Sequence, residues 1–103
     1  MRKIIKLQNI VDKFGENKDI AKEIRSKEIL PEIQAGHEIG LDFSGMTGAT
    51  QSFIHALIAE PIMRYREQAF DNLFYLNTNK DITEIISIVY RYLQESFADT
   101  ENS

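Results

Sequence analysis

Hydroxyl side chains are concentrated in one short stretch of the sequence, LDFSGMTGATQSFIHAL, residues 41–57. Two of them, Thr50 and Ser52, follow a glycine-containing loop at the predicted start of a helix. Serine and threonine at such a position commonly accept a hydrogen bond from a free backbone amide. The same amides, with the positive end of the helix dipole, also favour a phosphate. These hydroxyls are therefore predicted either to cap the helix or to accept a phosphoryl group.

Nucleotide binding and catalysis are less well supported by this stretch. Gly45 and Gly48 do not form a P-loop, because no lysine followed by serine or threonine comes after them. Ser52 and His55 are three residues apart, so a helix places them on one face, as a nucleophile and a base would require. Together with Asp42 they are candidates for an enzyme or small-ligand site, but no third orienting group or oxyanion site is identifiable. We therefore expect no enzymatic activity and no cofactor.

The loop that precedes this helix is the expected binding surface. In open α/β sheets, functional groups gather beyond the carboxyl ends of the strands. Asp42 lies at such an end, where it could hold the loop by accepting backbone amides or repel a phosphate. Thr47 is an alternative to Thr50 as the helix cap. The residues predicted to contact a protein partner are Asp42, Ser44, Gly45, Thr47, Gly48, Gln51 and His55.

Composition narrows the class of protein further. The chain has 103 residues, 43% of them apolar, and a net charge of −4. This size fits one domain, residues 1–98, with a disordered polar tail at 99–103. The absence of cysteine excludes disulfides and thiolate metal sites, and no carboxylates at fitting spacings accompany the two histidines in a zinc site. No basic run indicates a nucleic-acid partner, and no apolar run approaches a membrane span. We therefore expect a cytoplasmic protein that binds neither nucleic acid nor membrane.

Periodicity predicts the order strand, helix, strand, helix, strand, helix. The strands are predicted at 3–11, 38–43 and 73–76, and the helices at about 19–35, 50–72 and 81–97. Strands that alternate with helices are joined by right-handed crossovers, which favours a parallel sheet. We therefore expect an α/β fold with a mostly parallel or mixed sheet of three or four strands.

Particular residues refine these elements. Pro31 is expected to kink or restart the first helix, and Pro61 to bend the second. Gly40 indicates close approach of a helix to the sheet. The apolar run LFYL, residues 73–76, is typical of a strand buried on both faces. The charged residues of the first helix, among them Lys18, Lys22 and Arg25, are expected to form a solvated face.

Three segments also carry a resemblance to a known family, namely LDFSGMTGATQSFIHALI (41–58), LFYLN (73–77) and DITEIISIVYRYL (81–93). They resemble the STAS-like family of small bacterial domains of unknown function. This family is related to the STAS domains of anti-sigma factor antagonists and sulfate transporters. The resemblance covers about residues 20–95 and implies a STAS-like sandwich of helices and sheet, with binding around the loop and the second helix.

The resemblance also implies a switch. In the anti-sigma factor antagonists, one serine of an Asp-Ser-Ser-Gly helix start is phosphorylated by a partner kinase, and phosphorylation releases the partner. That start falls here on Thr50, Gln51, Ser52 and Phe53, with Ser52 matching the phosphorylated serine. Thr50 replaces the acidic residue, and Phe53 replaces the glycine, where it either alters the loop or packs inward. The implied partner is a histidine-kinase-type ATPase or an anti-sigma-like kinase.

Two functions from different classes follow. The leading hypothesis is a non-enzymatic regulatory protein-binding module, switched by phosphorylation at Ser52 or Thr50. The alternative is a structural or assembly subunit, a homodimer or a small operon partner, with no such switch. A thin sheet needs protection at its edges, and exposed aromatic residues favour interfaces. Tyr65 and Tyr92 are the aromatic residues expected to be exposed.

Overall fold

The computed structural model describes residues 2–101 of the chain, with side chains for residues 2–96. Its strands are β1 (Arg2–Lys6), β2 (Phe14–Gly15), β3 (Glu38–Asp42), β4 (Gly48–Ala49) and β5 (Leu73–Leu76). Its helices are α1 (Gln8–Val11), α2 (Lys18–Ile24), α3 (Leu30–Gln34), α4 (Gln51–Tyr65), α5 (Glu67–Asn72) and α6 (Lys80–Glu101). A π-helical turn, Arg25–Ile29, joins α2 to α3. Within this part of the chain, no helix is both long enough and apolar enough to cross a membrane.

Two parallel sheets organise these elements. The larger has the order β1-β3-β5, with Ile5 opposite Leu41 and Leu41 opposite Tyr75. The smaller pairs β2 with β4. The predicted α/β class with a small parallel sheet is confirmed, but the simple alternating order is not. The strand predicted at 3–11 ends at Lys6, because the buried Leu7 turns the chain into α1.

One face of the larger sheet carries the core, and the other is open. Ile39 and Leu41 are fully buried on the inner face beneath the helices, whereas Ile4 on the outer face is 55% exposed. A Cβ atom at Gly40 would lie 2.8 Å from Leu76 Cδ1 and 3.6 Å from Ile4 Cγ1. The close neighbours of this glycine are therefore side chains of the flanking strands, and the expectation of a helix there is wrong.

Strand β5 is less buried than predicted. It pairs with β3 on one side only, and only Leu73 is buried. Phe74 and Leu76 are half-buried on the open outer face, where the guanidinium of Arg2 lies 4.5 Å from the centre of the Phe74 ring. The prediction of burial on both faces is wrong because the outer face of the sheet is open. An apolar run does not by itself show whether both faces of a strand are covered.

The first helical region changes from the π-helical turn to α3 at Leu30, one residue before its proline, and the backbone stays helical across this change. The side chain of Asn17 caps α2, accepting hydrogen bonds from the amides of Asp19 and Ile20. Pro31 lies in the first turn of α3, where its missing amide donor costs least. Gly36, with a φ of 80°, ends the region in the left-handed conformation expected of a helix-terminating glycine.

Helices α4 and α6, which correspond to the second and third predicted helices, position the candidate site. Pro61 lies inside α4, which continues past it to Tyr65. The helix predicted over 50–72 is interrupted at Arg66, whose φ is 47°. Helix α6 begins at Lys80, close to the predicted start, and buries Ile82 and Val89 against the core. Its backbone is described to Glu101. The side chain of Phe97 and the last two residues of the predicted 99–103 tail lie outside the described part.

Candidate functional site

Asp42, the last residue of β3, fixes the beginning of the loop 43–49. Its Oδ1 accepts hydrogen bonds from the backbone amide of Ser44 and from the side-chain amide of Asn77, both at 2.9 Å. The hydrogen bond from Asn77, followed by that from the Ser44 amide, lowers the pKa of Asp42 below its ordinary value of 3.8. Of the two roles predicted for Asp42, the structure therefore gives it that of holding the loop.

Asn79 fixes the middle of the same loop. Its Nδ2 donates hydrogen bonds to the carbonyl oxygens of Met46 at 3.2 Å and Thr47 at 3.0 Å. Its Oδ1 accepts from the amide of Ile82 at 2.8 Å and so caps the start of α6. No pattern of neighbouring residues indicates these contacts, since both loop carbonyls belong to residues more than 30 positions away along the chain. Asn79 thus connects the loop to α6.

The β2 segment holds the far end of the loop. The amide of Thr47 donates to the carbonyl of Lys13 at 2.7 Å, and the amide of Thr50 donates to the carbonyl of Gly15 at 2.8 Å. Gly48 is buried in β4 beneath the Phe14 ring, which is 47% exposed. The exposed group at this point is therefore the Phe14 ring, and Gly48, which was predicted to contact a partner, lies beneath it.

Thr50 and Ser52 have different environments at the start of α4. The Oγ1 of Thr50 accepts a hydrogen bond from the amide of Phe53 at 3.1 Å, so Thr50, and not Thr47, is the helix cap. Ser52 is exposed in the first turn. Phe53 is fully buried, which decides between the two roles considered for it: its ring packs inward. The hydroxyl of Ser52 is therefore the accessible one.

An open groove of about 730 Å³ runs along α4 from this first turn. We call it the basic groove; its lining includes Lys18, Lys22, Arg25, Ser52, His55 and Tyr92. The His55 ring meets the Tyr92 ring edge-on, with their centres 6.1 Å apart. Tyr92 is 56% exposed, as predicted, whereas Tyr65 is partly buried against the core. The solvated face predicted on the first helix is thus one wall of a groove.

The structure does not assemble the enzyme site considered from the sequence. Ser52 and His55 line the basic groove, but Asp42 does not, because its carboxylate is engaged with Ser44 and Asn77 at the end of β3. Within the described part of the chain, no group of three histidine, aspartate or glutamate side chains could hold a metal ion. Of the predicted partner-contacting residues, Gly45 and Thr47 are exposed in the loop, and Gln51 and His55 line the groove. Asp42, Ser44 and Gly48 are half-buried or buried and lie outside the groove.

Comparison with protein families matches residues 20–83 to a STAS-like domain of unknown function. The chain belongs to this STAS-like family. The matched segment of the STAS-like domain begins within α2 and ends within α6, and it contains the loop, Ser52 and Asn79. Searches of the curated proteins and of the solved structures found no match.

The Asp42 anchor makes the stability of the STAS-like domain depend on pH. The folded-state pKa of Asp42 is lowered, so its contribution is present above the unfolded value near 3.8 and is lost as the pH falls through the folded value. We expect Asp42→Asn to lower the free energy of unfolding by about 1 kcal/mol at pH 6, since the asparagine oxygen can still accept both hydrogen bonds but no longer carries the charge that strengthens them. The difference from wild type should shrink at pH 3.

Urea unfolding at both pH values measures this difference. Asp71→Asn is the matched control, because Asp71 is exposed on α5, away from the loop. A destabilisation by Asp42→Asn that is equal at pH 6 and pH 3 contradicts the assignment of Asp42 as a charged anchor of the loop.

Proposed function

We propose that this STAS-like domain is a regulatory protein-binding module of the bacterial cytoplasm, without enzymatic activity. Its docking surface is the loop 43–49 together with the first turn of α4. The observation that carries the proposal is the combination of a fixed loop with the exposed Ser52. Because Asp42, Asn79 and Lys13 hold the loop, its exposed positions are already ordered before a partner arrives. A preorganised surface loses less conformational entropy on binding than a flexible one does.

We also propose that phosphorylation of Ser52 switches this docking. The hydroxyl of Thr50 is already used as the helix cap, which leaves Ser52 as the better acceptor. A phosphoryl group would add about −1.5 to −2 charges near pH 7 and would be accommodated at the positive end of α4. It would therefore change the surface without unfolding the domain. The resemblance of the helix start to that of anti-sigma factor antagonists makes a histidine-kinase-type ATPase or an anti-sigma-like kinase the first partner to test.

Intact-mass measurement of the protein from its native cells, with peptide mapping over residues 44–60, tests for the modification. Binding to the candidate ATPase then tests its effect. We expect Ser52→Asp to weaken binding about tenfold or more, because the aspartate would repel an acidic surface of the partner. We expect Ser52→Ala, which cannot be phosphorylated, to bind constitutively. Ser87→Asp, on the exposed side of α6, is the matched control and should bind as wild type does. If Ser52→Asp and Ser52→Ala both bind like wild type, the proposed switch is wrong.

The open face of the larger sheet favours a second candidate function, that of an assembly subunit. Ile4, Phe74 and Leu76 form an apolar strip there, beside two sheet edges. Such faces and edges are usually covered in stable proteins. Light scattering across a concentration series tests this candidate, and a strict monomer at high concentration counts against a homodimer.

A further inference from the structure

The basic groove has an electrostatic character opposite to that of the whole chain. The net charge of the protein is −4, yet Lys18, Lys22 and Arg25 lie at i, i+4 and i+7 and line one wall. Among the described residues that line the groove, Glu60 is the one acidic side chain. That spacing places all three side chains on one side of the helical region. The wall is therefore a local concentration of positive charge on an acidic protein.

Two of these cations have no acidic partner within the described residues. Lys27, on the same helical region, does have such a partner, since its Nζ lies 2.6 Å from an oxygen of Glu23. Lys18 and Lys22 form no such pair with the side chains that the structure describes. Their charges are thus available to a ligand in the groove at no cost in broken ion pairs.

Arg25 is held only weakly. Its Nε lies 4.0 Å from a carboxylate oxygen of Glu60 and has no hydrogen-bond partner, although the atom is buried. One terminal nitrogen donates to the carbonyl of Ala56 at a long 3.4 Å. The fold therefore leaves this guanidinium incompletely paired, and a carboxylate entering the groove would meet its terminal nitrogens, since the Nε atom itself is buried.

The shape of the groove suits a helix. Ala56 and Ala59 lie in it one turn of α4 apart, and their small side chains allow a backbone to come close. Ser52 and Glu60, also in the groove, are eight residues apart, so the groove follows α4 for about 12 Å. Tyr92 stands exposed on the α6 side and offers an aromatic contact of the kind that often dominates binding energy. A helix laid between helices is a common mode of peptide recognition.

From these observations we infer that the basic groove binds an acidic helix of a partner protein. The carboxylates of that helix would meet Lys18, Lys22 and Arg25, and its small or apolar side chains would face Ala56 and Ala59. The inference rests on the proposed docking function and names the chemistry of the partner. Because Ser52 lines the same groove, a phosphoryl group there would neutralise the cations that the partner requires.

The test uses the full chain and a synthetic helical peptide with glutamates at i, i+4 and i+7 and alanines between them. A peptide with glutamines in place of the glutamates is the control ligand. We expect the glutamate peptide to shift the amide resonances of Lys22, Ser52 and Ala56, with an affinity that falls as salt is raised. The glutamine peptide should leave those resonances in place.

Charge-reversed variants locate the binding. Lys18→Glu with Lys22→Glu should weaken the glutamate peptide about tenfold or more. The matched control, Lys80→Glu with Arg91→Glu, changes the net charge equally outside the groove and should change the affinity less than about twofold. Circular dichroism melting curves verify that both double variants fold. Equal weakening by the two pairs, or unmoved groove resonances, would overturn the inference.

The outcomes also separate this inference from the proposed function. A glutamate peptide that binds equally well to Ser52→Asp supports the groove and refutes the idea that a negative charge at Ser52 neutralises its cations. Binding to the candidate ATPase that is lost in Ser52→Asp but survives Lys18→Glu with Lys22→Glu refutes the groove and supports the switch. A dimer that the same lysine reversals dissolve would make a second copy the occupant and overturn the assignment to a partner helix.

Discussion

Phe53→Ala is expected to lower the free energy of unfolding by about 3–5 kcal/mol, the usual cost of removing a fully buried phenylalanine side chain. Domains of this size have a total stability of about 5–15 kcal/mol, so this substitution alone removes a large part of it. The ring sits in the first turn of α4 and packs against Gly15 of β2. Its loss leaves a cavity where the smaller sheet meets the helix that carries Ser52.

Gly15 provides a sharper test of this packing. A Cβ atom at Gly15 would lie 2.8 Å from Cε2 of Phe53, so Gly15→Ala forces the ring to move. Overpacking of this kind costs about 1–3 kcal/mol. In a Phe53→Leu background the outer ring atoms Cε2 and Cζ are absent and the smaller side chain can turn aside, so the added methyl group should be tolerated better. We therefore expect the double variant to be more stable than the sum of the single effects by about 0.5 kcal/mol or more.

Urea unfolding of the four proteins in this cycle measures the coupling. Phe70→Ala is the matched control for Phe53→Ala, because the Phe70 side chain is 42% exposed and should lose much less stability. Additive effects of Gly15→Ala and Phe53→Leu contradict the contact between β2 and α4. Equal losses from Phe53→Ala and Phe70→Ala contradict the central place of Phe53 in the core.

The parts of the fold that sequence reasoning predicted are those governed by short-range patterns. The buried rows of α4 and α6 follow from apolar residues three or four apart, and the parallel sheet follows from alternating strands and helices. Thr50 was a candidate cap because capping involves residues within three positions.

The missed features depend on contacts between distant segments. The sequence could not show that β5 is an edge strand, because Leu73–Leu76 reads as apolar whichever neighbours it has. The break at Arg66 has a positive φ at a residue that gives no glycine signal. The charges on Lys18 and Lys22 read as a solvated face, and only the packing of α2, α4 and α6 shows that they line a groove.

Asn79 is the clearest of these missed residues, and we expect its substitution to destabilise the fold strongly. Asn79→Ala should lower the free energy of unfolding by about 2–3 kcal/mol. The lost helix cap accounts for about 1 kcal/mol, and the two hydrogen bonds to the loop account for about 0.5–1.5 kcal/mol each before their overlap is considered. One side chain therefore links the stability of the docking loop to that of α6.

Asn79→Ser separates the two roles. A serine hydroxyl can still accept from the amide of Ile82, but it cannot reach both loop carbonyls as the asparagine amide does. We therefore expect Asn79→Ser to cost about half as much as Asn79→Ala. Hydrogen exchange distinguishes the variants by position. The amide of Ile82 should remain protected in Asn79→Ser, whereas the amide of Thr47 should exchange faster in both.

The exchange pattern bears directly on the docking proposal. If the loop 43–49 is held partly from α6, Asn79→Ser should loosen it without altering any exposed residue of the docking surface. Partner binding should then weaken, because the loop must be ordered on binding. Asn72→Ser is the matched control, since the side-chain amide of Asn72 donates to the carbonyl of Gln68 within α5, away from the loop. A Thr47 amide that stays protected in Asn79→Ser would mean that the Lys13 carbonyl alone is sufficient to hold the loop.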